Sequence, residues 1–242
     1  MKSFSVTDIG RKRTVNQDYV FSSEQEIGKL PNLFIVADGM GGHNAGDFAS
    51  RYSVQKVTEY IRNCKDITAI STLDRAIRYA NKMLRQKSAE DEALKGMGTT
   101  MVAATVSSER KLIVANIGDS RLYVIRDTIK QITKDHSLVE IMVENGEINA
   151  ADARFHPNKN VVTRAIGGSD DDACADFFEV DLKEGDMILL CSDGLSNMLG
   201  DDEILQIIKA LSDEIDVAAK ALIDSANEHG GKDNIAIVLM KV

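Results

Sequence analysis

Helix-period and strand-period hydrophobicity are segregated along this chain, and that segregation narrows the folds open to it. Val54, Val57 and Ile61, followed by Ile70, Leu73, Ile77, Ala80 and Leu84, recur at spacings of three and four, the period of a helical stripe. They predict an antiparallel helix pair. A second pair is predicted late in the chain, with Ile204, Ile207, Ile208 and Leu211 in one helix and Ala218, Ala221, Leu222 and Ser225 in the next. Asp201 and Asp202 suit the first turn of that pair as cap and dipole partners.

The strand-like runs lie outside these helices: Leu33 to Ala37, Thr99 to Val106, Lys111 to Ile117, Arg121 to Ile125, Met187 to Cys191 and Ile235 to Met240. Ser107-Ser108-Glu109-Arg110 and Arg126-Asp127-Thr128 are short polar breaks that suit hairpins, so the middle of the chain is expected to run as an antiparallel meander. Strands in that order, with helices grouped in two pairs, predict an α+β layered domain rather than alternating βαβ units. The chain has 242 residues, 43% of them hydrophobic, enough for a substantial core. Its two prolines and the lack of Gly/Ser-rich or like-charge runs mark no linker, so residues 1–242 are expected to form one domain. The segment 144–160 has little periodicity and is expected as a surface loop or flap.

Aspartates recur where these strands end. Asp38 follows Phe34-Ile35-Val36-Ala37 and precedes Gly39; Asp193 follows Ile188-Leu189-Leu190-Cys191-Ser192 and precedes Gly194. Asp119 closes Val114-Ala115-Asn116-Ile117-Gly118, and Asp233 with Asn234 precedes Ile235-Ala236-Ile237-Val238. Carboxylates converging on one rim would repel and raise one another's pKa unless a cation neutralised them. With no His/Cys cluster at ligand spacing, the donor set points to a hard ion such as Mg²⁺ or Mn²⁺ rather than zinc. The glycine after Asp38 is expected to let the backbone turn sharply and to expose its carbonyl. Each Asp-Gly also fits a plain turn, and spacing alone leaves both readings open.

Charge and cysteine content exclude other classes. The chain carries 38 Asp+Glu against 29 Lys+Arg, a formal net charge of −9, which opposes binding to nucleic acid or to an anionic membrane. Three cysteines without CxxC spacing fit reduced thiols better than a disulfide framework, and Cys191 is expected in the core. Residues 1–6 lack the apolar stretch of a signal peptide, and no run reaches the roughly 18 apolar residues of a membrane span. A soluble, cytoplasmic protein without membrane insertion is the expectation.

A set of ordered motifs adds to this reading. Arg13-Thr14-Val15-Asn16-Gln17-Asp18, Asp38-Gly39-Met40-Gly41-Gly42-His43, Gly98-Thr99-Thr100, Gly118-Asp119-Ser120-Arg121, Asp135-His136-Ser137, Thr163-Arg164-Ala165-Ile166-Gly167, Ser192-Asp193-Gly194 and Asp233-Asn234 span nearly the whole chain. In this order they resemble the metal-dependent protein serine/threonine phosphatases of type 2C (the PPM family), in the compact bacterial form. The resemblance implies a four-layer αββα sandwich, two antiparallel sheets flanked by helix pairs. It implies two Mn²⁺ or Mg²⁺ ions per chain: Asp38 bridging them, the Gly39 carbonyl on one, Asp193 and Asp233 on the other, and Asp18 acting through water. Asp119 with Asp193 resembles the ligands of a third, weaker site, and Arg13 the arginine that holds the substrate phosphate.

The implied reaction is hydrolysis of phosphoserine and phosphothreonine by a water bridging the two metals, with no covalent phosphoenzyme. The implied partners are phosphorylated proteins and a Ser/Thr kinase whose work the enzyme opposes, with the chain acting as a monomer. The alternative is a catalytically inactive phosphoprotein-binding module of the same fold. A carboxylate-rich Ca²⁺-binding domain is a third reading, but the chain lacks an EF-hand-like loop and that reading leaves Arg13 unexplained. Animal members carry a histidine, a proposed general acid, where this chain has Met40. His43 and His136 stand in matching motifs, either as the acid or as structural hydrogen-bonding groups.

Overall fold

The structure is a computed structural model and describes residues 1–42, 45–65, 68–168 and 173–242. Its strands are β1 (Lys2–Asp8), β2 (Asp18–Ser23), β3 (Leu33–Met40), β4 (Gly98–Thr99), β5 (Met101–Val106), β6 (Lys111–Ile117), β7 (Arg121–Ile125), β8 (Ile129–Gln131), β9 (Asp176–Asp181), β10 (Met187–Cys191) and β11 (Ile235–Lys241). Its helices are α1 (Ala45–Asn63), α2 (Ala69–Glu90), α3 (Leu138–Glu144), α4 (Ala150–Ala153), α5 (Asp193–Ser196), α6 (Asp201–Ala210) and α7 (Ile215–Glu228). One sheet runs β1-β11-β10-β7-β8 and the other β2-β3-β5-β6-β9, with β4 against β3; all pairings are antiparallel.

Strand alternation sorts the apolar residues into three layers. In β3, Leu33, Ile35 and Ala37 face α1 and α2, packing on Val57, Ile61, Leu73 and Ile77. Phe34 and Val36 point the other way, into an interface with Ile188, Leu190, Ala236 and Val238 of the second sheet. Leu189, Cys191, Ile237 and Leu239 then turn outward onto Ile204, Ile208, Ala218 and Leu222 of α6 and α7. A sheet covered on both faces needs apolar residues at successive positions, which is why these strands read as continuous runs. The four-layer αββα sandwich is borne out.

Several local expectations need correction. The central run is not a simple meander: β5 and β6 form a hairpin across Ser107 to Arg110, but β6 then pairs β9 while β7 joins the other sheet beside β10. The chain changes sheets at Gly118-Asp119-Ser120. Thr99 to Val106 is split at Thr100. Gly200, not Asp201 or Asp202, is the N-cap of α6, its N–H donating to Glu203 at 2.8 Å, although both aspartates do lie in the first turn. On α7 the buried stripe is Ala218, Ala219, Leu222, Ile223 and Ala226, so Ala221 and Ser225 flank it. Residues 144–160 begin on the last residue of α3 and include the single turn of α4 rather than running irregular throughout.

Four strands escaped the pattern. β1, β8 and β9 are edge strands, and β2 is the edge of its sheet beside β3. Half-buried edges such as Lys2–Asp8 carry Ser and Thr among few apolar residues and so present no continuous run.

Candidate metal centre

The strand ends of both sheets meet at one rim. Asp18 opens β2 directly opposite Asp38 in the β2–β3 register. Asp38 therefore lies within β3 rather than beyond its end. Asp119 sits where the chain changes sheets after β6, Asp193 is the first residue of α5 after β10, and Asp233 stands just ahead of β11. A cavity of about 210 Å³ is lined by Arg13, Asp38, Gly39, Asp119, Asp193 and Asp233, with Thr100, Asn160, Val162 and Asn234 among its other walls. Asp18 lies behind this lining, 3% exposed, and accepts from Ser192 Oγ at 2.7 Å.

The two glycines that follow aspartates serve close approach rather than the sharp turn expected of Gly39. Neither has a positive φ, but a Cβ on Gly39 would meet the Gly46 carbonyl oxygen at 2.0 Å, and one on Gly194 would meet that of Asn234 at 1.8 Å. Any side chain there would force apart the elements that carry the aspartates. Thr100 braces the same corner: its Oγ1 accepts from the Asp38 N–H at 3.1 Å and pairs with Ser120 Oγ at 2.8 Å.

The electrostatics are those of crowded, desolvated acids. Burial pushes Asp38 well above the usual carboxylate range, and the charges of Asp18, Asp193, Asp119 and Asp233 push it further. Burial raises Asp18 to about 8 against the opposing Ser192 hydrogen bond. Asp193 is raised to about 6, by burial and then by Asp233. Asp119 is pushed well up by burial, with Asp193 and Asp135 adding to it. Asp193 Oδ2 accepts from Asn197 Nδ2 at 2.9 Å, whereas Oδ1 is buried without a hydrogen-bond partner.

A buried orphan acceptor among like charges is a costly arrangement unless a cation completes it. All-oxygen donors suit Mg²⁺ or Mn²⁺. Among the described residues no three His, Cys, Asp or Glu side chains close into a ready cage for a metal ion.

Arg13 sits at the mouth of the cavity, about half exposed, with Nη2 donating to Asp233 Oδ2 at 2.7 Å. That hydrogen bond, more than any other influence, raises its pKa. The other Asp233 oxygen accepts from the Asn234 N–H at 2.9 Å. Asn234 also clamps the loop that carries Arg13: Nδ2 donates to the Ile9 and Val15 carbonyls, and Oδ1 accepts from the Gln17 N–H.

The histidines divide. His43 lies outside the described residues. His136 is buried, its Nδ1 accepting from the Gly118 N–H at 3.1 Å and its Nε2 lying 3.0 Å from Asp176 Oδ2. A backbone donor on Nδ1 places the proton on Nε2, toward Asp176. Burial lowers its pKa, so it stands as a neutral brace that ties Gly118 to β9. Cys191 is fully buried, with burial raising its thiol to about 12, and belongs to the core as expected.

Sequence reasoning passed over the supporting residues Ser192, Asn197 and Thr100 as functional groups. Asn197 follows Asp193 by four positions, one helical turn, but α5 is too short to announce itself as a periodic pattern.

Comparison with known proteins places the whole chain. The family model described as "Protein phosphatase 2C" matches residues 9–226. The chain is 40% identical over 248 residues to "Serine/threonine phosphatase stp" of Listeria innocua, covering 97% of this chain and 93% of that protein. Among solved structures it resembles the Streptococcus agalactiae serine/threonine phosphatase with a TM-score of 0.90 and 34% identity, over 100% of this chain and 99% of that one. It also resembles the catalytic domain of the serine/threonine protein phosphatase PstP in complex with 2 manganese ions, with a TM-score of 0.83 and 32% identity, over 98% of this chain and 96% of that one. With the family model matched over residues 9–226 and a relative 40% identical along almost the full length of both chains, this chain belongs to the protein phosphatase 2C family.

Proposed function

We infer that the protein hydrolyses phosphoserine and phosphothreonine on other proteins, with divalent cations held at the rim. The observation that carries this reading is the buried, partnerless Asp193 Oδ1 within a cluster of mutually repelling carboxylates that opens beside Arg13. Asp38, Asp193 and Asp233, with the Gly39 carbonyl, would hold two ions; Asp18 would act through a water, and Asp119 with Asp193 would serve a third, weaker site. When bound, such ions lower the pKa of water from about 15.7 toward neutrality and neutralise charge that builds on the phosphoryl oxygens.

The chain's own residues do the rest. Arg13 offers a planar donor fork to the phosphate at the mouth of the cavity. Gly39 and Gly194 keep the carboxylates close enough to share one charge field, and Asn234 fixes the loop that presents Arg13. His136, committed to Gly118 and Asp176, has no free proton to give the leaving alcohol. With His136 so committed, solvent is the source we assign to that proton among the described groups. All five aspartates are present, which favours hydrolysis over an inactive phosphoprotein-binding module.

We further place residues 1–242 as one phosphatase domain, acting as a monomer in the cytoplasm against a Ser/Thr kinase. No helix of the described residues is long and apolar enough to cross a membrane. The segment 144–160 is the expected seat of substrate selectivity, because a surface loop beside the cavity can vary without disturbing the core. Exchanging it for a relative's should change peptide preference; identical preference removes that assignment.

The primary test is phosphate release from a phosphothreonine peptide. Turnover should require Mn²⁺ or Mg²⁺ and stop with chelator. Turnover that persists in chelator overturns the metal-dependent reading.

A further inference from the structure

We propose that Asn197 is a positioning residue that couples the seating of the segment 144–160 to the carboxylate of Asp193. The inference rests on the reading of Asp193 as a metal ligand given above. Its basis is a chain of contacts through one amide. Asn197 Nδ2 donates to Asp193 Oδ2 at 2.9 Å, and Oδ1 of the same amide accepts from Lys159 Nζ at 3.0 Å. The Asn197 carbonyl also accepts from Arg154, Nη2 at 3.3 Å and Nε at 3.4 Å. Both cations belong to the segment 144–160, and residue 197 is where they grip the core.

The polarity of the amide makes this a relay rather than two independent contacts. With its NH₂ toward a carboxylate, its oxygen must face the ammonium; turning it over would set oxygen against carboxylate and NH₂ against Lys159. Both ties therefore depend on one orientation. Asp193 Oδ1, buried and without a protein partner, is the free end of the relay. A cation held by Asp193 through Oδ1 would fix the plane of the carboxylate and so Oδ2, which holds the amide with its oxygen presented to Lys159. Linkage is reciprocal, so a seated flap must in turn favour the ion. Outer-shell partners of this kind typically change metal affinity about 10- to 100-fold when removed.

The test uses the whole chain and no turnover. Mn²⁺ affinity is measured by calorimetry, and amide hydrogen exchange across residues 149–162 is followed without Mn²⁺ and at saturating Mn²⁺. In the unaltered protein Mn²⁺ should slow exchange across the segment. Asn197→Ala should bind Mn²⁺ about 10- to 100-fold more weakly and lose the slowing even when saturated. Arg154→Gln/Lys159→Met, which cuts both ties from the surface side, should exchange faster in the segment and bind Mn²⁺ more weakly by the same linkage.

Affinity in Asn197→Ala within about twofold of the unaltered protein, or slowing that persists in it at saturation, overturns the relay. Asp193→Asn separates the two failures. If it weakens Mn²⁺ binding while Asn197→Ala does not, the relay alone falls. If neither change matters, the ligand assignment falls with it.

Discussion

Two sets of buried or half-buried aspartates lie near one another at the same end of the sandwich and are treated in opposite ways. Asp135 is gripped by Arg121 through Nε at 3.0 Å and Nη2 at 2.7 Å, and Asp176 receives His136 and Arg164. Although burial opposes it, the His136 hydrogen bond and the Arg164 charge hold Asp176 below its ordinary pKa. Asp38 instead has Asp18, Asp193, Asp119 and Asp233 for electrostatic neighbours, all raising it. The fold thus supplies cations for the carboxylates that brace it and leaves those of the rim in deficit. A charge deficit kept within one cavity is a binding energy held in reserve for a cation.

The sharpest way to break this contrast is to neutralise a carboxylate from each set. Asp38→Asn and Asp193→Asn should each lower phosphate release from a phosphothreonine peptide by about 10³-fold or more. In metal-free protein Asp38→Asn should nevertheless raise stability, by about 1 kcal/mol, because it removes repulsion. A melting temperature that falls in metal-free Asp38→Asn would show that the rim is not under electrostatic strain. Asp135→Asn should do the reverse, costing about 3 kcal/mol with or without metal because Arg121 loses the partner of a largely buried pair. Urea unfolding with a chelator present measures both changes.

The pH dependence sharpens the contrast further. A carboxyl whose pKa is raised by folding contributes stability that is fully present below its unfolded value and is lost as pH rises through its folded value. Asp193 and Asp18, at about 6 and about 8, place that loss for metal-free protein between about pH 4 and about pH 8. Asp176, lowered by folding, contributes in the opposite sense: its stabilisation is present above the unfolded value and is lost only in acid. Since ligands must be deprotonated to bind a cation, the gain in melting temperature from Mn²⁺ should grow over the same range. At about 100 times the dissociation constant the added stability should reach about 2.7 kcal/mol per site. A gain that shrinks with rising pH contradicts the assignment.

The smallest expected effect belongs to Arg13, the cation nearest the rim that remains half exposed. Arg13→Ala should raise KM for a phosphopeptide about tenfold, and Arg13→Lys should recover only part of that, since an ammonium cannot present a fork. An unchanged KM would leave Arg13 as a surface partner of Asp233 and nothing more.

The same contrast explains what could be read from the chain beforehand. The helix pairs, the layered architecture and the six strand-like runs announce themselves because they are buried on one stripe or on both faces, and periodicity reports burial. Asp38, Asp119, Asp193 and Asp233 were visible because each adjoins such a run. The change of sheets at Gly118-Asp119-Ser120 was not, since nothing local distinguishes it from a hairpin. Nor was the division of labour between His136 and the rim. A histidine brace or a rim carboxylate finds its partners far along the chain, His136 at Gly118 and Asp176, Asp18 at Ser192, and no local pattern announces them.

That last bond has a mechanical consequence. The contact between the two sheets is made by Phe34, Val36, Ile188, Leu190, Ala236 and Val238, and apolar contact is non-directional, so it resists separation far better than it resists sliding. Ser192 follows β10 in one sheet and Asp18 opens β2 in the other, and Ser192 Oγ accepts from the Ala236 N–H while donating to Asp18. Together with the Ser3–Ser22 hydroxyl pair between β1 and β2, this hydroxyl works as a dowel pin, holding the offset at which two greased plates come to rest and with it the spacing of the carboxylates mounted on their edges.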